Sequence, residues 1–310
     1  VVVVDHFPLV AAAAAGDALR PDLVVQIGGE PVAMAWPRLA AGAHRLIIAD
    51  AGWPDGDSSA AQLLVGSVGD ALARLTAQVP THGDDRWRRA WHQAEVAAGA
   101  AMAAARAWPG PWSETDALAR VVAGLADGDQ LVVGNSLPIR VIDEVAATRA
   151  DVRVLTQRGA AGIDGLVAGA AGAAWATGRV TTVILGDVSF AHDVGSLAVV
   201  PGLPVRIIVL DNRGGHIFDD LPLAAAGVEP ATFARLWLTP PALAPVALAA
   251  GFGLPARTVR NPDEMAAAAD VVVVHAVVAA DGARATRTRA LATLAAPPAP
   301  APAPSQDAVR

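Results

Sequence analysis

GDVSFAHDVGSLAVVPGLPVRIIVLDNRGG, residues 186–215, follows directly on the apolar run TTVIL and contains a second such run, VRIIVL. The first run ends in Gly186-Asp187. The second ends in Asp211-Asn212-Arg213-Gly214-Gly215, which sets Asn212 25 positions after Asp187. Short, uninterrupted apolar runs bounded by turn-forming residues are what a strand covered on both faces requires. Two of them joined by intervening helical material predict a parallel βαβ arrangement. In open sheets of this kind ligands collect at the carboxyl ends of the strands, where Asp187 and Asn212 stand.

The same pattern extends outward. QLVVGNS (130–136), VRVLTQRG (152–159) and DVVVVHAVV (270–278) read as three further buried strands, most with helical segments between them. Four ends, GNS at 134–136, QRG at 157–159, GD at 186–187 and DNRGG at 211–215, are expected to form one rim. Upstream, DLVVQIGG (22–29) and HRLIIAD (44–50) read as strands around a short helix, PVAMAWPRLAAG (31–42). Asp84–Trp108 has helical spacing and good helix formers, and Pro109, Gly110 and Pro111 end it. Ser113 and Asp116 then fit a capping pattern for the next helix. The small-residue run at 158–178 does not fit G-x-G-x-x-G. It predicts a helix that packs closely on the sheet and offers free N-terminal amides to an anion. APPAPAPAPSQDAVR, at the end of the chain, has little to bury and reads as a disordered tail.

Composition sets the boundaries. With 310 residues and 54% hydrophobic content the chain can bury a large core, about two domains' worth. A formal charge of -7 and a pI near 5.4 disfavour nucleic acid or an anionic membrane as partner and leave small molecules. There is no Cys, Tyr or Lys, so all 23 basic residues are arginine. A Schiff-base lysine, a phosphate loop ending in Gly-Lys-Ser/Thr, a thiolate nucleophile and a cysteine zinc site are therefore excluded. No apolar stretch reaches the roughly 18 residues of a membrane span, and no secretory signal opens the chain, so a cytoplasmic location is expected. VVVVDHFP starts without Met, as if continuing a longer sequence.

At the rim, Asp187 and Asn212 supply two oxygen donors, and Gly214 lets a backbone carbonyl approach closely. Oxygen-only donors at a strand edge suit Mg²⁺, which takes its remaining ligands from phosphates and water, so a diphosphate would complete the shell. Taken singly, Asp187 reads as a helix cap and Asn212 as a turn residue; their pairing points to a metal. His192 and His216 match no zinc spacing and read as polar neighbours of the rim. Gly134-Asn135-Ser136-Leu137-Pro138 lacks the second glycine of a nucleophile elbow.

Gly-Asp followed about 25 residues later by Asn resembles the diphosphate and metal motif of thiamine-diphosphate enzymes, with Val188-Ser189 in place of the commoner Gly-Ser. GNSLPIRVID (134–143), QRGAAGIDG (157–165) and NRGGHIFDDLP (212–222) together resemble the 2-succinyl-5-enolpyruvyl-6-hydroxy-3-cyclohexene-1-carboxylate synthase family of menaquinone biosynthesis. The resemblance covers about residues 20–290. It implies an α/β, parallel-sheet thiamine-diphosphate-binding fold preceded by a partial α/β central domain: residues 1–82 the partial domain, 83–112 a connecting helix, 113–290 the cofactor domain and 291–310 the tail. The implied reaction is a transferase carboligation, in which 2-oxoglutarate is decarboxylated and the succinyl carbanion equivalent is added to isochorismate.

Residue by residue, the resemblance makes Asp187, Asn212 and Gly214 the ligands of Mg²⁺, with Mn²⁺ as an alternative ion. Gly186, Val188, Ser189, Gly215 and Ile217 would join them around thiamine diphosphate, and Ile163 would be the apolar prop that bends the cofactor. Arg140 and Arg158, with Asn135 and Ser136, would face substrate carboxylates, which a guanidinium fork binds bidentately. Ile217, Phe218 and Leu221 would line the pocket. Gln157 replaces a common Asn, and Asp211 and Arg213 stand where Asn or Asp is more usual; these departures bear on the residues behind the ligands.

The glutamate that activates the cofactor in this family has no counterpart here. The resemblance therefore implies a homo-oligomer in which a second subunit supplies the N-terminal pyrimidine-binding domain and that glutamate, and a chain that is inactive alone. Two other readings stay open: another 2-oxo acid decarboxylase or acetolactate synthase-like subunit, and a non-catalytic truncated remnant.

Overall fold

The computed structural model describes residues 2–13, 17–31, 33–78, 85–147, 149–157 and 162–296. Near the start, helix α1 (Phe7–Ala13) precedes a three-stranded parallel sheet in the order β1 (Leu23–Ile27), β2 (His44–Ala49), β3 (Gln62–Val65). Helix α2 (Trp36–Ala40) joins the first two strands, and α3 (Val68–Gln78) follows the third. Only the middle strand is well buried, through Ile47, Ile48 and Ala49. Helix α4 (Asp85–Ala107) fills the run read as helical from its spacing. Its Trp91, Ala98, Ala101, Met102 and Ala105 share a core with Leu9, Val10 and Leu39.

The larger sheet has six strands, all parallel: β4 (Gln130–Val133), β5 (Arg153–Thr156), β6 (Thr181–Gly186), β7 (Val205–Asp211), β8 (Ala256–Val259) and β9 (Val273–Val277). Their order is β5-β4-β6-β7-β9-β8. Between and around them run α5 (Glu114–Ala123), α6 (Leu137–Val145), α7 (Leu166–Thr177), α8 (Asp187–Asp193), α9 (Pro222–Ala225), α10 (Pro230–Phe233), α11 (Pro245–Gly251), α12 (Pro262–Ala266) and α13 (Gly282–Ala295). Successive residues of one strand feed opposite faces. Ile184, Ile208 and Leu210 pack with Leu118, Val121 and Val141 of α5 and α6, while Val183, Leu185, Ile207 and Val209 pack with Leu166, Ala170 and Phe190 of α7 and α8. Burial on both faces is why these strands read as continuous apolar runs. Each fully buried aliphatic side chain is worth roughly 1.5–3 kcal/mol.

The chain leaves β4 for β5 on one side and returns to β6 on the other, so the sheet order reverses between β4 and β6. That switch point opens a crevice at the strand ends. The two strands are tightly joined there: the Gly134 amide donates to the Ile184 carbonyl at 2.7 Å, and a Cβ on Gly134 would lie 2.8 Å from the same oxygen.

Ser113 caps α5 as expected, its Oγ accepting from the Asp116 amide at 3.1 Å. Two expectations are corrected. Residues 291–295 were assigned to the tail but continue α13 to Ala295, because Leu291 and Leu294 pack on the core shared by α1 and α4; residues 297–310 lie outside the described segments. The amides at the start of α7 are not all free, since Val167 donates to the buried Asp193 Oδ2 at 2.6 Å. Among the described residues no helix is long and apolar enough to cross a membrane.

Candidate diphosphate site

The four polar strand ends read as one rim belong to β5, β4, β6 and β7, which are consecutive neighbours in the sheet. Asp187 opens α8 directly after β6 and is 5% exposed. Its Oδ1 accepts from the Val188 amide at 2.9 Å, whereas Oδ2 is buried with no hydrogen-bond partner. Burial pushes this carboxyl up to about 6; Asp211 adds to the rise, and the Val188 and Gly214 amides partly offset it. Buried acceptors in native structures are nearly always satisfied, so an orphaned carboxylate oxygen at a switch point fits a hard cation.

Asn212, at the end of β7, is equally buried, and its Nδ2 donates to Glu114 Oε2 at 3.2 Å. Glu114 is the first residue of α5 and 2% exposed. Burial raises its carboxyl to about 7; the Asn212 hydrogen bond lowers it and the charge of Asp187 raises it. Sequence reasoning missed this residue, because nothing local marks a carboxylate whose partner lies 98 positions away. Asp211 was singled out only as a departure from the family pattern. Its Oδ2 lies 2.8 Å from His275 Nε2, and its Oδ1 accepts from the Arg213 amide at 3.1 Å. The His275 contact holds the Asp211 carboxyl below the usual range.

Gly214 has φ +123°, and a Cβ there would sit 2.3 Å from the Leu238 carbonyl oxygen. Its own carbonyl accepts from the His216 amide at 2.9 Å, which leaves one lone pair for a further partner. Gly214→Ala is expected to lose roughly 1–3 kcal/mol from backbone strain alone, more with the overlap, and thermal melting of the variant checks it. Melting unchanged from the wild type would mean that this turn does not need glycine. Among the described residues no group of three or more His, Asp or Glu forms a metal cluster. A metal here would rest on the mixed donors Asp187, Asn212 and the Gly214 carbonyl.

The remaining predicted residues divide. Gly186, the residue before α8, and Val188 and Ser189 in its first turn sit beside Asp187. Asn135, 6% exposed, donates from Nδ2 to the Gly162 carbonyl and so ties the end of β4 to the loop that carries the half-buried Ile163. Ser136 adopts φ +79°, and its carbonyl accepts from Arg140 Nη1 at 2.6 Å. Arg140, Ile217 and Leu221 line one cavity of about 450 Å³, together with Arg38, Glu144, Asp220 and Arg287. Arg287 pairs with both Glu144 and Asp220, joining α13 to α6 and to the turn after β7. Phe218 stacks close under Gly215 and is not part of that cavity wall, and neither are Asp187 and Asn212. Arg158 lies outside the described residues. His216 faces Asp219 at 2.7 Å.

Residues 142–280, which include the Asp187–Asn212 edge, match the family described as thiamine pyrophosphate enzyme, C-terminal TPP binding domain. That stretch of the chain is similar to such a thiamine-pyrophosphate-binding domain. The chain is similar to the 2-succinyl-5-enolpyruvyl-6-hydroxy-3-cyclohexene-1-carboxylate synthase of Sorangium cellulosum (strain So ce56), with 38% identity over 265 residues, 80% of this chain and 42% of the relative. The synthase of the same name from Rubrobacter xylanophilus is 38% identical over 213 residues, 67% of this chain and 37% of the relative. The chain thus spans about two fifths of the length of these curated relatives. The X-ray structure of a chain from Mycobacterium smegmatis assigned as a thiamin diphosphate-dependent enzyme aligns with a TM-score of 0.56 at 22% identity, covering 83% of this chain and 48% of that one. The fold around the thiamine-pyrophosphate-binding domain is shared with that structure, and the curated relatives bear out the resemblance carried by the three motifs.

Proposed function

We propose that this chain is the cofactor-binding portion of a 2-succinyl-5-enolpyruvyl-6-hydroxy-3-cyclohexene-1-carboxylate synthase, acting on 2-oxoglutarate and isochorismate with thiamine diphosphate and Mg²⁺. One observation carries the reading: at the switch point, inside the matched domain, Asp187 presents a buried oxygen without a partner beside an Asn212 amide already held by Glu114. Asp187 Oδ2, Asn212 Oδ1 and the Gly214 carbonyl would hold Mg²⁺, with Mn²⁺ able to substitute, and the start of α8 would meet the diphosphate. Thiamine diphosphate, when bound, supplies the nucleophilic carbon to which a 2-oxo acid adds before losing CO₂. Ile163 would press on the cofactor from the loop before α7.

Arg140 supports a dicarboxylate substrate. Its guanidinium borders a cavity whose other walls include the apolar side chains Ile217 and Leu221 beside charged groups, so a carboxylate entering there would meet a positioned guanidinium. The Glu144–Arg287–Asp220 ion pairs fix the distance between α6, which carries Arg140, and the turn that carries Ile217. Arg158, Asn135 and Ser136 are proposed to complete the carboxylate contacts. A second subunit would contribute the N-terminal pyrimidine-binding domain and the activating glutamate.

Assayed with thiamine diphosphate, Mg²⁺ and a polypeptide supplying that N-terminal domain, the chain is expected to release CO₂ from 2-oxoglutarate and to consume isochorismate. Release from pyruvate in preference to 2-oxoglutarate would replace the synthase with an acetolactate synthase-like or other 2-oxo acid decarboxylase. No release from either substrate, in the presence of cofactor binding, would support the non-catalytic reading.

A further inference from the structure

We infer that Glu114 is a positioning residue for the metal site: its carboxylate fixes the Asn212 amide so that Oδ1 faces the divalent cation. The inference rests on the thiamine-diphosphate reading above and gives a role to a residue that lies outside the motifs.

The geometry leaves the amide one orientation. Asn212 Nδ2 donates to Glu114 Oε2 at 3.2 Å, and with a divalent cation nearby Glu114 carries its charge and can only accept, which holds the amide in that orientation. Oδ1 is then turned away from Glu114. Without this contact the two ends of the amide are nearly equivalent in shape, and an Nδ2 turned toward a cation would offer no lone pair.

The placement of Glu114 is itself constrained. It is 2% exposed, and among the described residues no arginine or histidine pairs with it. The preceding residue, Ser113, caps α5 and is pressed against the start of α13, where a Cβ on Gly282 would come within 2.9 Å of the Ser113 Cβ. The start of α5 therefore has little freedom to shift. An unpaired carboxylate buried this deeply is costly unless a positive charge lies near. Glu114 lies directly behind Asn212, and a divalent cation held by Asp187 and Asn212 at the strand ends would supply that positive charge. Groups that orient metal ligands from behind are typically worth 10- to 100-fold in metal affinity.

The test titrates the 310-residue chain with Mn²⁺ in the presence of thiamine diphosphate and follows free Mn²⁺ by electron paramagnetic resonance. Wild type, Glu114→Gln, Asn212→Ala and the double variant are compared, and metal-free melting is measured for each. The isosteric Glu114→Gln removes the charge and lets either end of the Asn212 amide face it. It is expected to weaken Mn²⁺ binding about tenfold or more without lowering the metal-free melting temperature. The double variant is expected to bind no more than about threefold more weakly than Asn212→Ala, since residues acting through one another are not additive. Wild-type binding together with an unchanged Glu114→Gln overturns this inference alone, as do fully additive losses. A wild type that takes up no Mn²⁺ with thiamine diphosphate overturns the site reading, and the role of Glu114 with it.

Discussion

Asp187→Asn is expected to reduce Mg²⁺-dependent affinity for thiamine diphosphate by roughly thirty- to several-thousand-fold. Removing one partner of a buried charge interaction costs about 2–5 kcal/mol, and each 1.4 kcal/mol is about tenfold. The neutral amide keeps an oxygen in place but lacks the charge that a poorly dehydrated Mg²⁺ requires. Calorimetric titration with cofactor and Mg²⁺ measures the effect, and unchanged affinity would remove Asp187 from the metal site.

The same substitution has an opposite effect on the metal-free protein. Burial raises the Asp187 carboxyl to about 6 from its ordinary 3.8, so between those values the folded state binds the proton more tightly than the unfolded state. That contribution to stability is complete below about pH 4 and is lost as pH rises through 6. Metal-free Asp187→Asn is therefore expected to melt above the wild type at pH 8, by an amount on the order of 1–3 kcal/mol, and close to it near pH 4. A variant less stable than the wild type at pH 8 would show that the carboxylate is not strained in the absence of metal.

Arg140→Ala is the second large effect, and it falls on the substrate rather than the cofactor. The guanidinium is anchored through Nη1 to the Ser136 carbonyl and borders the 450 Å³ cavity. Its loss is expected to lower kcat/KM for 2-oxoglutarate or isochorismate by the same roughly 2–5 kcal/mol, with thiamine diphosphate affinity changed less than about threefold. A solvated surface arginine would be worth under about 1 kcal/mol. Kinetics of the assembled enzyme within threefold of the wild type would return Arg140 to that surface role.

Much of this arrangement is written locally in the chain. TTVILG and VRIIVLD become β6 and β7 because both faces of the central strands are covered, which keeps Val183–Leu185 and Ile207–Leu210 unbroken apolar runs. The residues that end those runs, Asp187 and Asn212, sit at the rim because a strand end is where the apolar demand stops. Edge strands are another matter. QLLV at 62–65 is short and mostly exposed, and ARTV at 256–259 carries Arg and Thr, so neither stands out from loop sequence although both pair in register.

The hidden part of the site is long-range. Glu114 lies within a capping pattern that explains Ser113 and Asp116 and leaves Glu114 looking like an ordinary acidic residue of a first helical turn. Its meaning appears only when α5 lies against the end of β7. The pairing of Asp211 with His275 likewise spans 64 positions, and periodicity carries no information about it. The close approach at Gly214 was legible as a glycine at a polar strand end; the reason for it, the Leu238 carbonyl, was not.

The central claim is that Asp187, Asn212 and the Gly214 carbonyl hold a divalent cation at the switch point of the six-stranded sheet. Crystals of the protein grown with thiamine diphosphate and Mn²⁺, with anomalous diffraction collected at the manganese edge, address it directly. The account predicts one anomalous peak at a metal–oxygen distance of about 2 Å from Asp187 Oδ2, Asn212 Oδ1 and the Gly214 carbonyl, with the Asn212 amide nitrogen still on Glu114. A cofactor diphosphate bound with its metal elsewhere, or a peak that leaves Asp187 and Asn212 without contact, would contradict it.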